Sequence, residues 1–130
     1  MPTATTRLFD ARLYREAYDL TAEVRDYVAG HPEKDAMAAG MRFAVSVEEY
    51  RMTARLTQVL AWLMRRRAEM AGEVSPDAAG DRALGGQGVC LSRAGLAEDR
   101  APAALADLLV RSRQIYERVA RLDAEEPVRT

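Results

Sequence analysis

Apolar residues recur at steps of three and four along three stretches of the chain, and no stretch alternates apolar with polar residues. This spacing places apolar side chains on one side of an α-helix, so the pattern predicts three helices and no strands. Glycine and proline separate the stretches. We expect helices at about residues 10–29, 34–71 and 102–123, with frayed ends at residues 1–8 and 125–130.

The first and third helices each carry one apolar stripe, as expected where a helix of a three-helix bundle packs against the other two. We expect Asp10 to cap the first helix, Gly30 to follow its end, and Pro102 to occupy the first position of the third helix. The first stripe is Leu13, Ala17, Leu20, Val24 and Tyr27, beside an acidic flank of Glu16, Asp19, Glu23 and Asp26. The third stripe is Leu105, Leu108, Ser112, Ile115, Val119 and Leu122, widened by Leu109 and Tyr116.

The second helix is the longest and is apolar on two nearly opposite sides. At about 100° per residue, one side collects Met41, Val45, Met52, Leu56, Val59, Leu63 and Met70. The opposite side collects Phe43, Val47, Tyr50, Ala54 and Ala61. A three-helix bundle buries only one of these sides, and each large side chain left in water forgoes roughly 1.5–3 kcal/mol. We therefore predict a homodimer interface on the second side; the alternative is that residues 72–101 fold back and cover it.

A further line on the second helix lies between its two apolar sides. It consists of Arg51, Arg55, Gln58 and Trp62. Arginine and tryptophan are enriched at protein interfaces, so the line is a candidate partner-binding surface. The structural alternative is that its arginines pair with the acidic flank of the first helix across an antiparallel contact.

The connection between the second and third helices is about 30 residues long, which is unusual for a segment without structure of its own. Ser75 and Pro76 favour a short helical turn over residues 75–79. We expect the glycine-rich residues 80–95 to be mobile. The glycines at 85–88 follow no strand and precede no lysine, so they do not form a phosphate-binding loop.

Composition predicts a single domain without catalytic chemistry. The 130 residues include 19 basic and 20 acidic side chains, a net charge of −1, which disfavours binding to nucleic acid or an anionic membrane. No apolar run approaches the roughly 18 residues of a membrane span. Cys90 lacks a neighbouring base and His31 is the one histidine, so we predict no catalytic residue, metal or cofactor, and a cytoplasmic location. Residues 65–67, three consecutive arginines, leave a small dimeric DNA-binding regulator as the alternative function.

Part of the second helix resembles a known protein family. Residues 49–63, EYRMTARLTQVLAWL, closely resemble the central helix of the RcdA-like family (regulator of CtrA degradation), and residues 108–118, LLVRSRQIYER, are similar to its last helix. The matching positions in the second helix are Glu49, Arg51, Met52, Thr53, Arg55, Leu56, Gln58, Trp62 and Leu63. The spacing of the two arginines, the glutamine and the tryptophan is fairly specific, because bundle packing does not require it.

The resemblance implies an all-α, three-helix bundle that forms homodimers and has no enzymatic activity. Members of this alphaproteobacterial family act as adaptors of the cytoplasmic ClpXP protease, and they help to deliver cell-cycle regulators for degradation together with other adaptor proteins. It implies no catalytic residue. The predicted partners are therefore a second copy of the chain, the protease, and its client or co-adaptor proteins.

Overall fold

A computed structural model of the chain describes residues 4–73, 96 and 100–125. The helices are α1 (Ala4–Gly30), α2 (Pro32–Asp35), α3 (Ala39–Met70) and α4 (Ala103–Glu125). The three long helices pack against one another around one apolar core, and the described residues contain no strand. The predicted class, an all-α three-helix bundle with a long central helix, is confirmed. The predicted mobile segment, the turn at 75–79 and Cys90 lie outside the described residues.

The core side predicted for each helix is confirmed. Every residue of the three predicted stripes is buried or half-buried, and the stripes meet in one cluster. At the centre, Met52, Val59, Leu105 and Val119 are inaccessible to solvent. The helical period alone therefore identifies which side of each helix faces inward. None of the described helices is long and apolar enough to cross a membrane.

α3 and α4 run parallel, and α1 runs antiparallel to both. Arg55 donates a hydrogen bond to Ser112, and Trp62 donates one to Asp123. Residue numbers therefore increase in the same direction along α3 and α4. The end of α3 and the start of α4 consequently lie at opposite ends of the bundle. This separation accounts for the length of the connection between them, because a short turn joins only neighbouring helix ends.

Two helix starts differ from the prediction. α1 begins at Ala4 and not at Asp10, since no glycine or proline after Pro2 prevents the helix from extending backwards. The predicted helix over 34–71 is broken into α2 and α3, because the backbone leaves the helical conformation at Ala38 (φ −68°, ψ 160°). Alanine favours helix, so local propensity does not explain the break. Tertiary contacts explain it: Met37 packs against the core.

The other helix ends follow the glycine and proline signals closely. Gly72 adopts φ +77°, and the amides of Gly72 and Glu73 donate to the carbonyls of Glu69 and Ala68. These two bonds form a Schellman motif, in which glycine is favoured because the left-handed conformation strains other residues. Pro102 lies immediately before α4 and its carbonyl accepts from an α4 amide, which places it one position earlier than predicted.

Candidate functional site

The second apolar side of α3 faces outward. Phe43 is 74% exposed and Tyr50 is 66% exposed, and Ala61 is also exposed, whereas Val47 and Ala54 are half-buried. In the alternative arrangement residues 72–101 cover this side, and most of that segment lies outside the described residues. The described bundle thus presents aromatic side chains to solvent on its longest helix, and their role in a homodimer stays a prediction.

Two members of the arginine and tryptophan line point into the bundle. Arg55 is completely buried, and its Nη1 donates to Ser112 Oγ at 3.1 Å. Ser112 Oγ in turn donates to the carbonyl of Leu109 at 3.1 Å. Trp62 is 8% exposed and its Nε1 donates to Asp123 Oδ1 at 2.9 Å. These bonds join α3 to α4 at two levels of the bundle.

The other two members, Arg51 and Gln58, are half-buried at the edge of α3. Arg51 Nη1 lies 3.0 Å from Glu48 Oε2, one helical turn away. The line is therefore divided between an inner pair that binds α4 and an outer pair at the surface. Its role in partner binding stays a prediction, which these contacts do not test.

Two residues of the acidic flank of α1, Glu16 and Glu23, pair with arginines of α4, a neighbour that the structural alternative did not consider. Arg118 forms a two-pronged ion pair with Glu16, with both N–O distances at 3.0 Å, and Arg111 pairs in the same way with Glu23. Hydrogen bonding to Arg111 lowers the pKa of Glu23. Periodicity identifies the acidic flank but not its neighbour, because the neighbour depends on how α4 packs.

α2 holds the ends of the three long helices together. Lys34 Nζ donates to Glu49 Oε2 on α3 at 2.7 Å and to the carbonyl of Val28 on α1 at 3.2 Å. His31 Nδ1 accepts from the amide of Glu33 at 3.1 Å and thereby caps α2, while its ring stacks on Tyr27. Sequence reasoning missed these contacts, since a four-residue helix gives no periodic signal.

Glu33 caps α4 from another part of the chain. Its two carboxylate oxygens accept from the amides of Ala104 and Leu105 at 3.1 and 3.0 Å, and Tyr27 Oη donates to it at 2.8 Å. Pro102, at the position where a serine or aspartate usually caps a helix, has no such side chain. Burial opposes ionisation of Glu33, but these three hydrogen bonds outweigh it and lower its pKa.

The concave surface between α1 and α3 offers little for catalysis. A groove of about 260 Å³ there is lined by Thr21, Val24, Arg25, Val28, Thr53, Leu56, Thr57 and Leu60. This lining contains no carboxylate, histidine or cysteine, so it lacks a general base. Among the described residues, no three histidine, cysteine, aspartate or glutamate side chains are grouped as metal ligands.

The three consecutive arginines near the end of α3 contact their own chain. The guanidinium of Arg66 lies 5.3 Å from the ring centre of Trp62, and that of Arg67 lies 4.7 Å from the ring centre of Tyr14. Arg65 Nε lies 3.8 Å from Glu69 on the next turn. Cation–π contacts of this kind stabilise the bundle, so Arg66 and Arg67 have a structural role within their own chain.

Comparison with known proteins places these surfaces in context. The family described as "Protein of unknown function (DUF1465)" matches residues 1–129. The curated proteins include no match to the chain. The crystal structure of RcdA from Caulobacter crescentus CB15 is similar, with 30% identity, a TM-score of 0.71, and coverage of 93% of this chain and 92% of that chain. The similarity therefore extends over the whole bundle, beyond the segment of α3 whose sequence resembles the family most clearly.

Proposed function

The chain belongs to the RcdA-like (DUF1465) family, and on that premise we propose that it is a homodimeric, non-enzymatic adaptor of the ClpXP protease. Its clients are cell-cycle regulators, as the family resemblance implies. An adaptor acts by tethering, which raises the effective concentration of a client at the protease. Tethering requires binding surfaces and no reactive groups, which agrees with the contacts described above.

The observation that carries this proposal is the outward apolar side of α3. Phe43 and Tyr50 are 74% and 66% exposed, more than any other large apolar residue whose burial is described. A contiguous apolar patch on a small domain is typical of an interaction site. We assign the dimer interface to this side, through Phe43, Val47, Tyr50, Ala54 and Ala61.

The arginine and tryptophan line supplies the second surface of the proposed adaptor. Arg51 and Gln58 reach the surface beside the dimer side, where a client or co-adaptor contacts them. Arg55 and Trp62 support that edge from inside the bundle, through their bonds to α4. The net charge of −1 and the self-contacts of the three arginines favour protein partners in the cytoplasm over nucleic acid.

Light scattering after size-exclusion chromatography tests the dimer. We expect the wild-type chain to have twice the monomer mass at tens of micromolar, and Tyr50→Glu to be monomeric because it places a charge in an apolar contact. Tyr18→Glu is the matched control, since Tyr18 is a 55% exposed tyrosine on α1 and is not one of the five predicted interface residues. A monomeric wild-type chain, or a dimer that Tyr50→Glu leaves intact, contradicts the assignment.

Protein half-lives test the adaptor function. In a strain without this chain, we expect a small set of cell-cycle regulators to persist longer after translation is stopped, as they also do when ClpX is depleted. Purified chain added to ClpX, ClpP and one such regulator should accelerate its degradation severalfold. Tyr50→Glu should restore less of this activity than Tyr18→Glu. Unchanged half-lives and an unchanged degradation rate would refute the proposal.

A further inference from the structure

The outward side of α3 continues beyond the five predicted interface residues and follows a regular repeat. From Phe43 to Ala68, positions at alternating steps of four and three are all apolar or threonine. We call these eight positions the outer seam. At about 1.5 Å per residue the seam is about 37 Å long. This spacing is the heptad pattern of helices that pack side by side with interlocking side chains.

The outer seam consists of one set of mainly large residues and one set of mainly small residues. The first set is Phe43, Tyr50, Thr57 and Met64. The second set is Val47, Ala54, Ala61 and Ala68. In a parallel pair of identical helices each set packs against itself, so that Tyr50 meets Tyr50 and Ala54 meets Ala54. In an antiparallel pair each set packs against the other, so the two large aromatic residues, Phe43 and Tyr50, lie opposite members of the mainly small set.

From this self-complementarity we propose that two copies of the chain pair through α3 in an antiparallel orientation, with Tyr50 of one copy opposite Ala61 of the other. In the same register Phe43 lies opposite Ala68, and the two-fold axis passes between Ala54 and Thr57. The inference rests on the proposed homodimer and specifies its geometry. A two-fold contact of this kind is isologous: each copy uses the same residues.

The extent of seam that is covered selects this register among the antiparallel alternatives, and the residues beside the seam are compatible with it. Arg51, Gln58 and Arg65 form the flank on one side of the seam. In the proposed register, Arg51 faces Gln58 of the second copy. A shift of one heptad in one direction brings Arg51 opposite Arg51, and a shift in the other direction brings Arg51 opposite Arg65. Either shift leaves two seam positions of each copy uncovered and replaces the neutral Gln58 opposite Arg51 with an arginine, although Glu48 of the same chain already pairs with Arg51.

Disulfide formation between cysteine variants tests orientation and register together. In a Cys90→Ser background, Val47→Cys and Met64→Cys are purified separately, unfolded, mixed, refolded and oxidised. The proposed register brings positions 47 and 64 of different copies within disulfide distance, whereas two copies of position 47 are separated by about 17 residues of helix, or about 25 Å. The mixture should therefore cross-link at least about tenfold more than either variant alone.

Each other result identifies a specific error. Cross-linking of Val47→Cys with itself indicates a parallel pair, and cross-linking with Thr57→Cys indicates a shift of one heptad. A dimer by light scattering that gives none of these cross-links uses the opposite heptad shift or another side of the bundle. All of these results overturn the inference and leave the proposed homodimer standing. A monomer overturns both. Phe43→Cys with Ala68→Cys reports the same register if either first variant has an altered circular dichroism spectrum.

Discussion

The two sides of α3 reverse the usual distribution of polar and apolar residues. The inner side carries charged side chains, and Glu48, Glu49 and Arg55 are all less than 10% exposed. The outer side carries Phe43 and Tyr50, both well exposed. Charged residues are rarely buried unless they are paired, and large aromatic patches are rarely left in water unless they bind something.

The difference separates the side of α3 that packs the bundle from the side that we assign to the proposed association. The inner charges have partners within the chain, since Glu48 pairs with Arg51 and Glu49 with Lys34. Hydrogen bonds are directional, so the pair between Glu49 on α3 and Lys34 on α2 specifies how those two helices lie, whereas Glu48 and Arg51 pair within α3. The outer apolar residues provide non-directional attraction, which stabilises an assembly. The inner side of α3 therefore determines the fold, and the outer side serves the proposed association.

Removal of the buried guanidinium should have the largest effect. We expect Arg55→Ala to lower the free energy of unfolding by about 3–5 kcal/mol, because it leaves a cavity and removes the hydrogen bond to Ser112. Urea denaturation followed by circular dichroism measures the change. Arg42→Ala is the control, since Arg42 is exposed on the same helix and its loss should change stability by less than about 0.5 kcal/mol. Equal effects of the two substitutions would show that burial of Arg55 is unimportant.

Adjacent residues on α3 provide the most direct comparison of its two sides. Leu63 is 1% exposed and Met64 is 58% exposed. Leu63→Ala should lower the free energy of unfolding by about 2–4 kcal/mol, whereas Met64→Ala should change it by less than about 0.5 kcal/mol at protein concentrations where the chain is monomeric. Met64→Ala should instead weaken the proposed dimer severalfold in a dilution series. Similar losses of stability from both substitutions would contradict the division of roles.

Sequence periodicity predicted the core well and the flanks poorly, for a physical reason. A residue such as Leu56 lies at the centre of an apolar stripe, so it faces the core whichever way the neighbouring helices pack. Arg55 and Trp62 lie at the edge of that stripe. Whether an edge is buried depends on the side that α4 occupies, which the sequence of α3 does not encode.

The contacts of α2 were beyond prediction for a related reason. Glu33 is one residue from a proline in a short polar segment, which is typical of a solvated turn. Its partners, Ala104 and Leu105, lie 71 and 72 residues further along the chain. No local pattern links such distant positions. The sequence does show that α4 starts without a capping side chain, but this indicates only that a cap is needed and not which residue supplies it.

The Glu33 cap offers a smaller effect with a defined pH dependence. Glu33→Gln should lower the free energy of unfolding by about 1–2 kcal/mol at pH 7, since it removes an ionised acceptor at the start of α4. The pKa of Glu33 is lowered in the folded chain. Its stabilisation is therefore complete above the ordinary glutamate pKa of about 4.3 and disappears as pH falls through the lowered value.

Urea denaturation at several pH values checks this expectation. The difference between the wild-type chain and Glu33→Gln should shrink as pH falls below about 4, because the protonated glutamate then resembles glutamine. Asp35→Asn is the control for loss of one carboxylate from the same short helix, because Asp35 is exposed. A difference that stays constant from pH 7 to pH 3 would show that the charge of Glu33 does not stabilise the cap.

Removal of an exposed ion pair should have the smallest effect on stability. The comparison with Arg55 distinguishes the contribution of charge pairing from that of burial. Arg118 and Glu16 meet in a two-pronged geometry, but their side chains are 39% and 53% exposed. Water screens such a pair, so a double-mutant cycle of Arg118→Ala and Glu16→Ala should give a coupling energy below about 1 kcal/mol that decreases further in high salt. A coupling energy as large as the loss of unfolding free energy caused by Arg55→Ala would show that an ion pair stabilises the bundle strongly even when it is exposed. We expect the substitution of Arg55 to cost more stability than the Arg118–Glu16 pair contributes. That difference attributes the effect of Arg55 to its burial between packed helices.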